Sequence, residues 1–373
     1  MRYIDEFRNI RLIKELIYKI NALSIYQPIN IMEVCGTHTV NFFKFGINTL
    51  LPSHINIIAG PGCPVCVSEE DFIDKAIAYS EIKDLIVTSF GDLIRVPGTD
   101  SSLEKERAKG RDIRVVYSSL ETIKIALDNP SKKVLFLGVG FETTAPAVAL
   151  TILETKKRRI KNLFFLLSLK RIPPVMEYLL QEREINIHGF LCPGHVSAII
   201  GVRPYEFIAK RHRIPCCIAG FEPLDIIEGI YILLNQIMHQ NIYVANQYQR
   251  LVKREGNLRA QRILKDVFRI EDADWRGIGR VEKSGFYLKQ KYAAFDIEKI
   301  LPLKLKKKKN NNNACACAEV LKGKIKPFEC RLYAKICTPL KPYGPCMVSQ
   351  EGACYAYYKY EKKYSDFRHF NSN

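Results

Sequence analysis

The 373-residue sequence predicts an α/β protein built on parallel sheets. Eight short apolar runs alternate with stretches of helical character, and such an alternation favours parallel pairing. Most of the runs also lack the polar alternation of a half-exposed strand, which is typical of strands covered on both faces. The predicted strands are residues 29–34, 55–59, 85–89, 115–117, 134–138, 163–168, 188–191 and 215–219.

An amphipathic helix is predicted at residues 5–22, ahead of the first strand. The eight strands divide into two sets of four at the turn signal formed by Asn129 and Pro130. We therefore expect two similar α/β domains, residues 1–128 and 129–245, on either side of a cleft.

A smaller third domain is expected at residues 246–373. It begins with a polar helical stretch and passes Trp275. A Lys/Asn tract near residues 304–313 follows, and its composition is typical of a disordered insertion. The segment beyond the tract is rich in cysteine.

The charge and apolar content exclude some classes of partner. The formal net charge is +18, but no basic and aromatic residues interleave as a stacking groove for nucleic acid requires. No apolar run reaches membrane-spanning length, and the N-terminus lacks an apolar signal core. We expect a cytoplasmic protein with no nucleic-acid or membrane partner, in which 12 cysteines indicate metal or redox chemistry.

Glycine-rich or cysteine-bearing turns follow six of the predicted strands. In doubly wound sheets, ligands bind beyond the carboxyl ends of the strands, so these turns are expected to face one cleft. The turns are CGTHT (35–39), GPGCPVC (60–66), FGD (90–92), GVGFETTAP (138–146), CPGHVS (192–197) and GFEPLD (220–225).

Three cysteines in these turns are candidates for chemistry. Two residues separate Cys63 from Cys66, and this spacing suits a redox disulfide or half of a zinc site. Cys35 is either inert packing or an exposed thiol tuned by the nearby His38. If the three cysteines face each other, they make a soft-metal site together with His38.

Other polar turn residues are open to two interpretations. Glu142 and Glu222 each follow Gly-Phe at the end of a strand, where a carboxylate can either favour a helix N-terminus or act in the cleft. His195 is likewise either a turn residue or a member of the cleft.

The densest cysteine array lies between residues 315 and 354. Four of its cysteines are separated by 14, 6 and 16 residues, and no tight zinc knuckle occurs among them. These wide gaps favour an iron-sulfur cluster, with zinc and disulfides as the alternatives. The four are Cys315, Cys330, Cys337 and Cys354, and Cys317 and Cys346 remain as a possible second pair.

Seven motifs in the same order resemble the HypD family of hydrogenase maturation factors. The resemblance spans about residues 30 to 360. The motifs are EVCGTHT, GPGCPVCV, SFGDLIRVPG, GFETTAP, PGHVS, AGFEPLDI and CTPLKPYGPCMVSQEGACYAYY. Ala318 departs from the family pattern, which has a glycine after the second cysteine of the array.

The resemblance implies two Rossmann-like α/β domains around a cleft and a smaller C-terminal domain with a 4Fe-4S cluster. It implies a redox-active scaffold rather than a conventional turnover enzyme, on which the Fe(CN)2CO group of NiFe hydrogenases is assembled. The implied partners are the small protein HypC, the cyanide donor HypE and, indirectly, the hydrogenase large subunit. An iron-sulfur protein disulfide reductase is the alternative function, and a zinc-bound nucleic-acid module is a more distant one.

The resemblance also implies roles for single residues. Cys35 is implied to bind the iron of the Fe(CN)2CO group together with a HypC cysteine, with His38 beside it. The cluster ligands are implied to be Cys315, Cys330, Cys337 and Cys354. The implied redox pairs are Cys63 with Cys66 and Cys317 with Cys346, and the candidates for proton handling or for hydrogen bonds to cyanide are His38, Glu142, His195 and Glu222.

Overall fold

A computed structural model describes residues 5–182, 184–303, 305 and 314–361 of the chain. All but one residue of the predicted Lys/Asn tract at 304–313 lies outside these described residues.

The fold is α/β with two separate sheets, so the predicted class is confirmed. The strands are β1 (Ile29–Glu33), β2 (Ile55–Ala59), β3 (Leu85–Ser89), β4 (Ile113–Val115), β5 (Lys133–Gly140), β6 (Leu163–Lys170), β7 (Gly189–Pro193), β8 (Cys216–Ala219), β9 (Val244–Asn246), β10 (Phe268–Trp275) and β11 (Gly279–Leu288).

The helices fill the connections between these strands. Helix α1, the predicted amphipathic helix, begins after Asn9, whose side chain accepts hydrogen bonds from the backbone N–H groups of Arg11 and Leu12. The helices are α1 (Ile10–Asn21), α2 (Gly36–Lys44), α3 (Glu70–Ser80), α4 (Leu103–Ala108), α5 (Glu121–Asp128), α6 (Ala145–Lys157), α7 (Ile172–Leu180), α8 (Gly194–Ile200), α9 (Pro223–His239), α10 (Leu258–Val267), α11 (Ile297–Ile300), α12 (Cys317–Leu321), α13 (Pro345–Val348) and α14 (Ala353–Ala356).

The first sheet has five parallel strands in the order β2-β1-β7-β8-β9. The second sheet has six strands in the order β10-β11-β6-β5-β3-β4. Strands β3 to β6 are parallel, whereas β10 and β11 form an antiparallel hairpin that extends the sheet beyond β6. Parallel sheets of this kind agree with the Rossmann-like domains that the family resemblance implies.

The predicted grouping of the strands is wrong, although all eight predicted strands are present. The chain leaves the first sheet after β2, builds most of the second sheet, and returns to the first sheet at β7. The boundaries predicted at residues 128 and 245 therefore do not coincide with the sheets. An apolar run fits beside any parallel neighbour, so strand order is not encoded in a run's own composition.

The hairpin β10–β11 was not predicted as sheet. Four of the eight residues of β10 are charged, and its buried side chains are Phe268, Ala273 and Trp275. A strand exposed on one face carries such a pattern. The predicted polar helical stretch is present as α10 (Leu258–Val267), and the prediction missed only the charged strand that follows it.

The cysteine-bearing segment, residues 314–361, packs against both sheets. On the first sheet, Gly323 lies against Met32 and Ile58. On the second, Ser349 Oγ donates to Asp92 Oδ2 at 3.1 Å. Among the described residues, no helix is both long and apolar enough to cross a membrane.

Candidate functional site

Cys35 lies where β1 ends and α2 begins. It is the N-cap residue of α2, with extended backbone, and its side chain is buried. Two glycines let other segments reach it. A Cβ on Gly62 would lie 2.4 Å from the Cys35 backbone nitrogen, and a Cβ on Gly36 would lie 2.3 Å from the carbonyl oxygen of Glu351. The GPGCPVC turn and the cysteine-bearing segment therefore both close on Cys35.

Carboxylates surround the Cys35 thiol. Burial raises its pKa to about 12, and the nearby Glu351 and Glu33 act in the same direction. The backbone N–H groups of His38 and Thr37 oppose this shift, because they favour the thiolate. Burial also raises the pKa of Glu33 to about 8. The Cys35 thiol is thus protonated in the absence of a metal ion.

Glu33 and Glu351 were not predicted as site residues. Glu33 accepts hydrogen bonds from the Cys35 backbone N–H at 3.1 Å and from the Thr39 hydroxyl. Glu351 accepts one from Thr37 Oγ1 at 2.8 Å. A signal for both was available, since Glu33 and Glu351 lie inside the quoted motifs EVCGTHT and CMVSQEGACYAYY.

Cys63 and Cys66 are joined by a disulfide, with their Cα atoms 5.2 Å apart. Both are buried, and the turn that carries them follows β2 directly. The sulfur of Cys66 lies 3.8 Å from the carbonyl oxygen of Pro345, the residue before Cys346. The disulfide form of the predicted redox pair therefore lies against the cysteine array.

The hairpin turn after β10 lies beside both groups of cysteines. The backbone N–H of Arg276 donates to Val67 O at 2.9 Å, next to Cys66. A Cβ on Gly277 would lie 2.7 Å from Ala318 Cα, next to Cys317. This turn, which sequence reasoning missed, fixes the disulfide loop and the start of α12 relative to each other.

All six cysteines of the array line one cavity. Within it, the sulfurs of Cys317 and Cys346 are 2.7 Å apart. The sulfur of Cys337 accepts a hydrogen bond from the Tyr343 backbone N–H at 3.2 Å. The other lining cysteines are Cys315, Cys330 and Cys354.

The sulfurs surround a space and do not converge on one point. Across residues 5–182, 184–303, 305 and 314–361, no three His, Cys, Asp or Glu side chains are grouped as a single metal ion requires. Soft thiolate donors that line one shared cavity fit a group with several metal atoms, each of which takes its own thiolate. The donor type and arrangement thus suit the predicted cluster.

His38 and His195 both contact the ring of Phe221, which follows β8. Their rings are 4.7 and 4.0 Å from the Phe221 ring, centroid to centroid. His38 Nε2 lies 2.8 Å from Gly220 O, and since a carbonyl only accepts, Nε2 carries the proton. Nδ1 of His38 has no hydrogen-bond partner in the described part of the chain, and burial lowers the pKa of His38 to about 4.

The two predicted glutamates lie in different surroundings. Glu142 is buried and accepts a hydrogen bond from the Ile172 backbone N–H at 3.1 Å, at the start of α7. Burial raises its pKa to about 7. Glu222 is the N-cap of α9 and pairs with Arg8 near the surface. Both therefore act at helix N-termini, and only Glu142 is enclosed.

Comparisons with known proteins agree with the motifs. A family model described as "Hydrogenase formation hypA family" (HypD) matches residues 11–361. The chain is 41% identical to the hydrogenase maturation factor HypD of Escherichia coli (strain K12), over 98% of this chain and 100% of that protein. It is 42% identical to a putative hydrogenase expression/formation protein of Methanocaldococcus jannaschii, over 94% and 98%. It is also 42% identical to HypD2 of Bradyrhizobium diazoefficiens, over 96% and 97%.

Proposed function

The chain belongs to the HypD family of hydrogenase maturation factors, and on that premise we propose that it is the scaffold on which the Fe(CN)2CO group of NiFe hydrogenases is assembled. The observation that carries this proposal is the contact between three cysteine sites. Cys35 adjoins the turn that bears Cys63 and Cys66, and that turn adjoins the six-cysteine cavity.

Cys35 is proposed to bind the iron that is being assembled. Low-spin iron with cyanide and carbon monoxide ligands is soft and suits a thiolate. Because burial keeps the Cys35 thiol protonated, iron binding must displace its proton. Glu351, which lies near the thiol, is proposed to receive that proton, because Glu33, with a pKa of about 8, is itself mostly protonated at neutral pH. A second thiolate is proposed to come from a HypC-type partner.

The Cys63 and Cys66 thiols are proposed to supply electrons for cyanide release. A cyanide carried as a thiocyanate by a HypE-type donor leaves when the S–C bond accepts two electrons. Oxidation of the Cys63 and Cys66 dithiol to the disulfide supplies those electrons and two protons. One of the protons remains on the sulfur of the HypE-type cyanide donor. The products are a thiol, cyanide and the disulfide present in the structure.

The spent disulfide is proposed to be renewed by the neighbouring pair, Cys317 and Cys346. Thiol–disulfide exchange would move the disulfide from Cys63 and Cys66 to Cys317 and Cys346 without changing the number of thiols. The 2.7 Å separation of the Cys317 and Cys346 sulfurs supports this role.

A resident 4Fe-4S cluster is proposed for the cavity, where it would supply single electrons. Cys315, Cys330, Cys337 and Cys354 would hold it, and Tyr343 and Gly344 direct backbone N–H groups at the Cys337 sulfur. Such N–H groups stabilise a thiolate. A reducing compartment such as the cytoplasm would keep these thiols available.

Infrared spectroscopy of the chain in complex with a HypC-type partner tests the proposal. After anaerobic assembly we expect bands of iron-bound cyanide and carbon monoxide. Cys35→Ala should lose these bands, while Cys217→Ala, which removes a buried cysteine of β8, should keep them. Persistence of the bands in Cys35→Ala would refute the iron ligand. A wild-type complex that reduces protein disulfides without such bands would favour the reductase alternative.

A further inference from the structure

We propose that the turn Thr338–Lys341 and its basic surroundings form the docking surface for a small acidic protein that donates single electrons. This inference rests on the proposed function, because the electrons would enter at the cysteine cavity. It goes further by naming the face and the chemical class of the donor. We call Ile336, Leu340, Lys335, Lys341 and Arg331 the donor face.

The turn and the residue before Cys337 present apolar side chains to solvent, close in the sequence to a cavity cysteine. Leu340 is 95% exposed, the most exposed large apolar side chain among the described residues, and Ile336 is 54% exposed. Between them lies Cys337, which is buried and lines the cavity. A partner that covers Leu340 would therefore approach the cavity by way of the chain that carries Cys337.

The turn is held in place rather than loose. The backbone N–H of Thr338 donates to Lys341 O at 3.2 Å, and that of Lys341 donates to Thr338 O at 3.1 Å. Pro339 stands at the second position of this turn, where its fixed φ is favoured. Arg95, which follows β3 of the second sheet, donates from Nη2 to Pro339 O at 2.7 Å. The exposure of Leu340 is thus a property of a fixed surface.

The charge around the turn selects an acidic partner. Between Glu329 and Glu351 the sequence carries three cations and no carboxylate. The cations are Arg331, Lys335 and Lys341, and all three are exposed. A basic rim around a small apolar patch is complementary to a protein with an acidic rim, and it steers the encounter of the two.

Reduction of the disulfide also requires an external electron donor. Renewing one disulfide as two thiols takes two electrons and two protons. The protons come from water, and the electrons come from two successive encounters with the reduced donor, which is oxidised by one electron each time. A small ferredoxin with one 2Fe-2S centre belongs to this class of reductant.

The test measures how fast a reduced acidic 2Fe-2S ferredoxin is oxidised by the disulfide form of the full-length protein, in stopped flow at low ionic strength. The double variant Lys335→Glu, Lys341→Glu should slow the second-order rate about tenfold or more and weaken its salt dependence. Leu340→Ser should slow the rate several-fold. Reduction by dithionite, which needs no docking face, should be unchanged in both variants.

Matched controls lie just before β3 and on α5. Lys83→Glu with Lys124→Glu changes the net charge equally, and Leu127→Ser removes a leucine that is 55% exposed. Both controls should keep the wild-type rate.

Two results would overturn the inference while leaving the proposed function intact. One is an equal loss of rate in the control and donor-face variants. The other is a wild-type dimer that Leu340→Ser converts to monomers without any change in rate, because the patch would then belong to self-association. If dithionite reduces neither a cluster nor the disulfide in the wild type, the proposed function fails first and this inference with it.

Discussion

Gly62→Ala is expected to separate the two halves of the site without removing any reactive group. The added Cβ would lie 2.4 Å from the Cys35 nitrogen, 2.5 Å from its Cα and 2.6 Å from the carbonyl carbon of Val34. All three atoms are backbone, so no side-chain rotation relieves the contact. Ordinary van der Waals contact begins at 3.4 Å, so the turn must move about 1 Å away from Cys35.

Overpacking of this kind costs about 1–3 kcal/mol of unfolding free energy. Since a metal site tolerates little misplacement, a shift of about 1 Å between Cys35 and the dithiol should also stop cyanide loading. Urea unfolding measures the first effect. The infrared bands of the HypC-bound complex measure the second.

Gly91→Ala is the matched control, because a Cβ there would lie 3.7 Å from Val115 Cγ1, an ordinary contact. It should change stability by less than about 0.5 kcal/mol and leave loading intact. If Gly62→Ala matches this control in both assays, the close approach of the turn to Cys35 is not needed for function.

Three further predictions concern the cysteines and the buried carboxylate. Cys330→Ala should lose the iron and sulfide of the proposed cluster, while Cys192→Ala, which removes a buried cysteine outside the cavity, should keep both. If Cys330→Ala keeps all its iron and sulfide, Cys330 is not a cluster ligand. Cys63→Ser should keep the iron and sulfide but stop cyanide loading, and continued loading would contradict the redox role. Burial raises the pKa of Glu142 from 4.5 to about 7, so the folded state holds this proton more tightly than the unfolded chain does. The resulting stability is present below pH 4.5 and is lost as the pH rises through 7, by about 3 kcal/mol. Glu142→Gln should therefore flatten the wild-type fall in unfolding free energy between pH 5 and pH 8, and an unchanged slope would show that Glu142 titrates normally.

The positions of the strands could be predicted from the sequence, but their partners could not. The run 29–33 is both predicted and observed, because a buried parallel strand is a local apolar feature. It pairs with residues 55–59 on one side and with residues 189–193 on the other, and the latter follow the entire parallel part of the second sheet in the chain. Nothing in these runs specifies that pairing.

The candidate site was predictable where the signal was a cysteine and less so where it was a carboxylate. The disulfide of Cys63 and Cys66 is one of the two arrangements that their spacing predicts. Glu351 lies 316 residues after Cys35 in the sequence, and tertiary contacts with Gly36 and Thr37 bring them together. Glu222 is occupied by Arg8, a partner that no local pattern in GFEPLD reveals.

The interrupted first sheet sets the order in which the molecule can be made. Strand β1 must wait for β7, since Ile31 pairs with Gly189, and long-range pairing of this kind is slow to form. During synthesis, Cys35 and the Cys63 and Cys66 thiols leave the ribosome well before the strand that buries β1 exists. Because these thiols are then unprotected, a reducing environment and chaperones matter most for the nascent chain. Glu351, which closes on Cys35 beside Gly36, is translated later still, so the proposed iron site is completed only after that residue has left the ribosome.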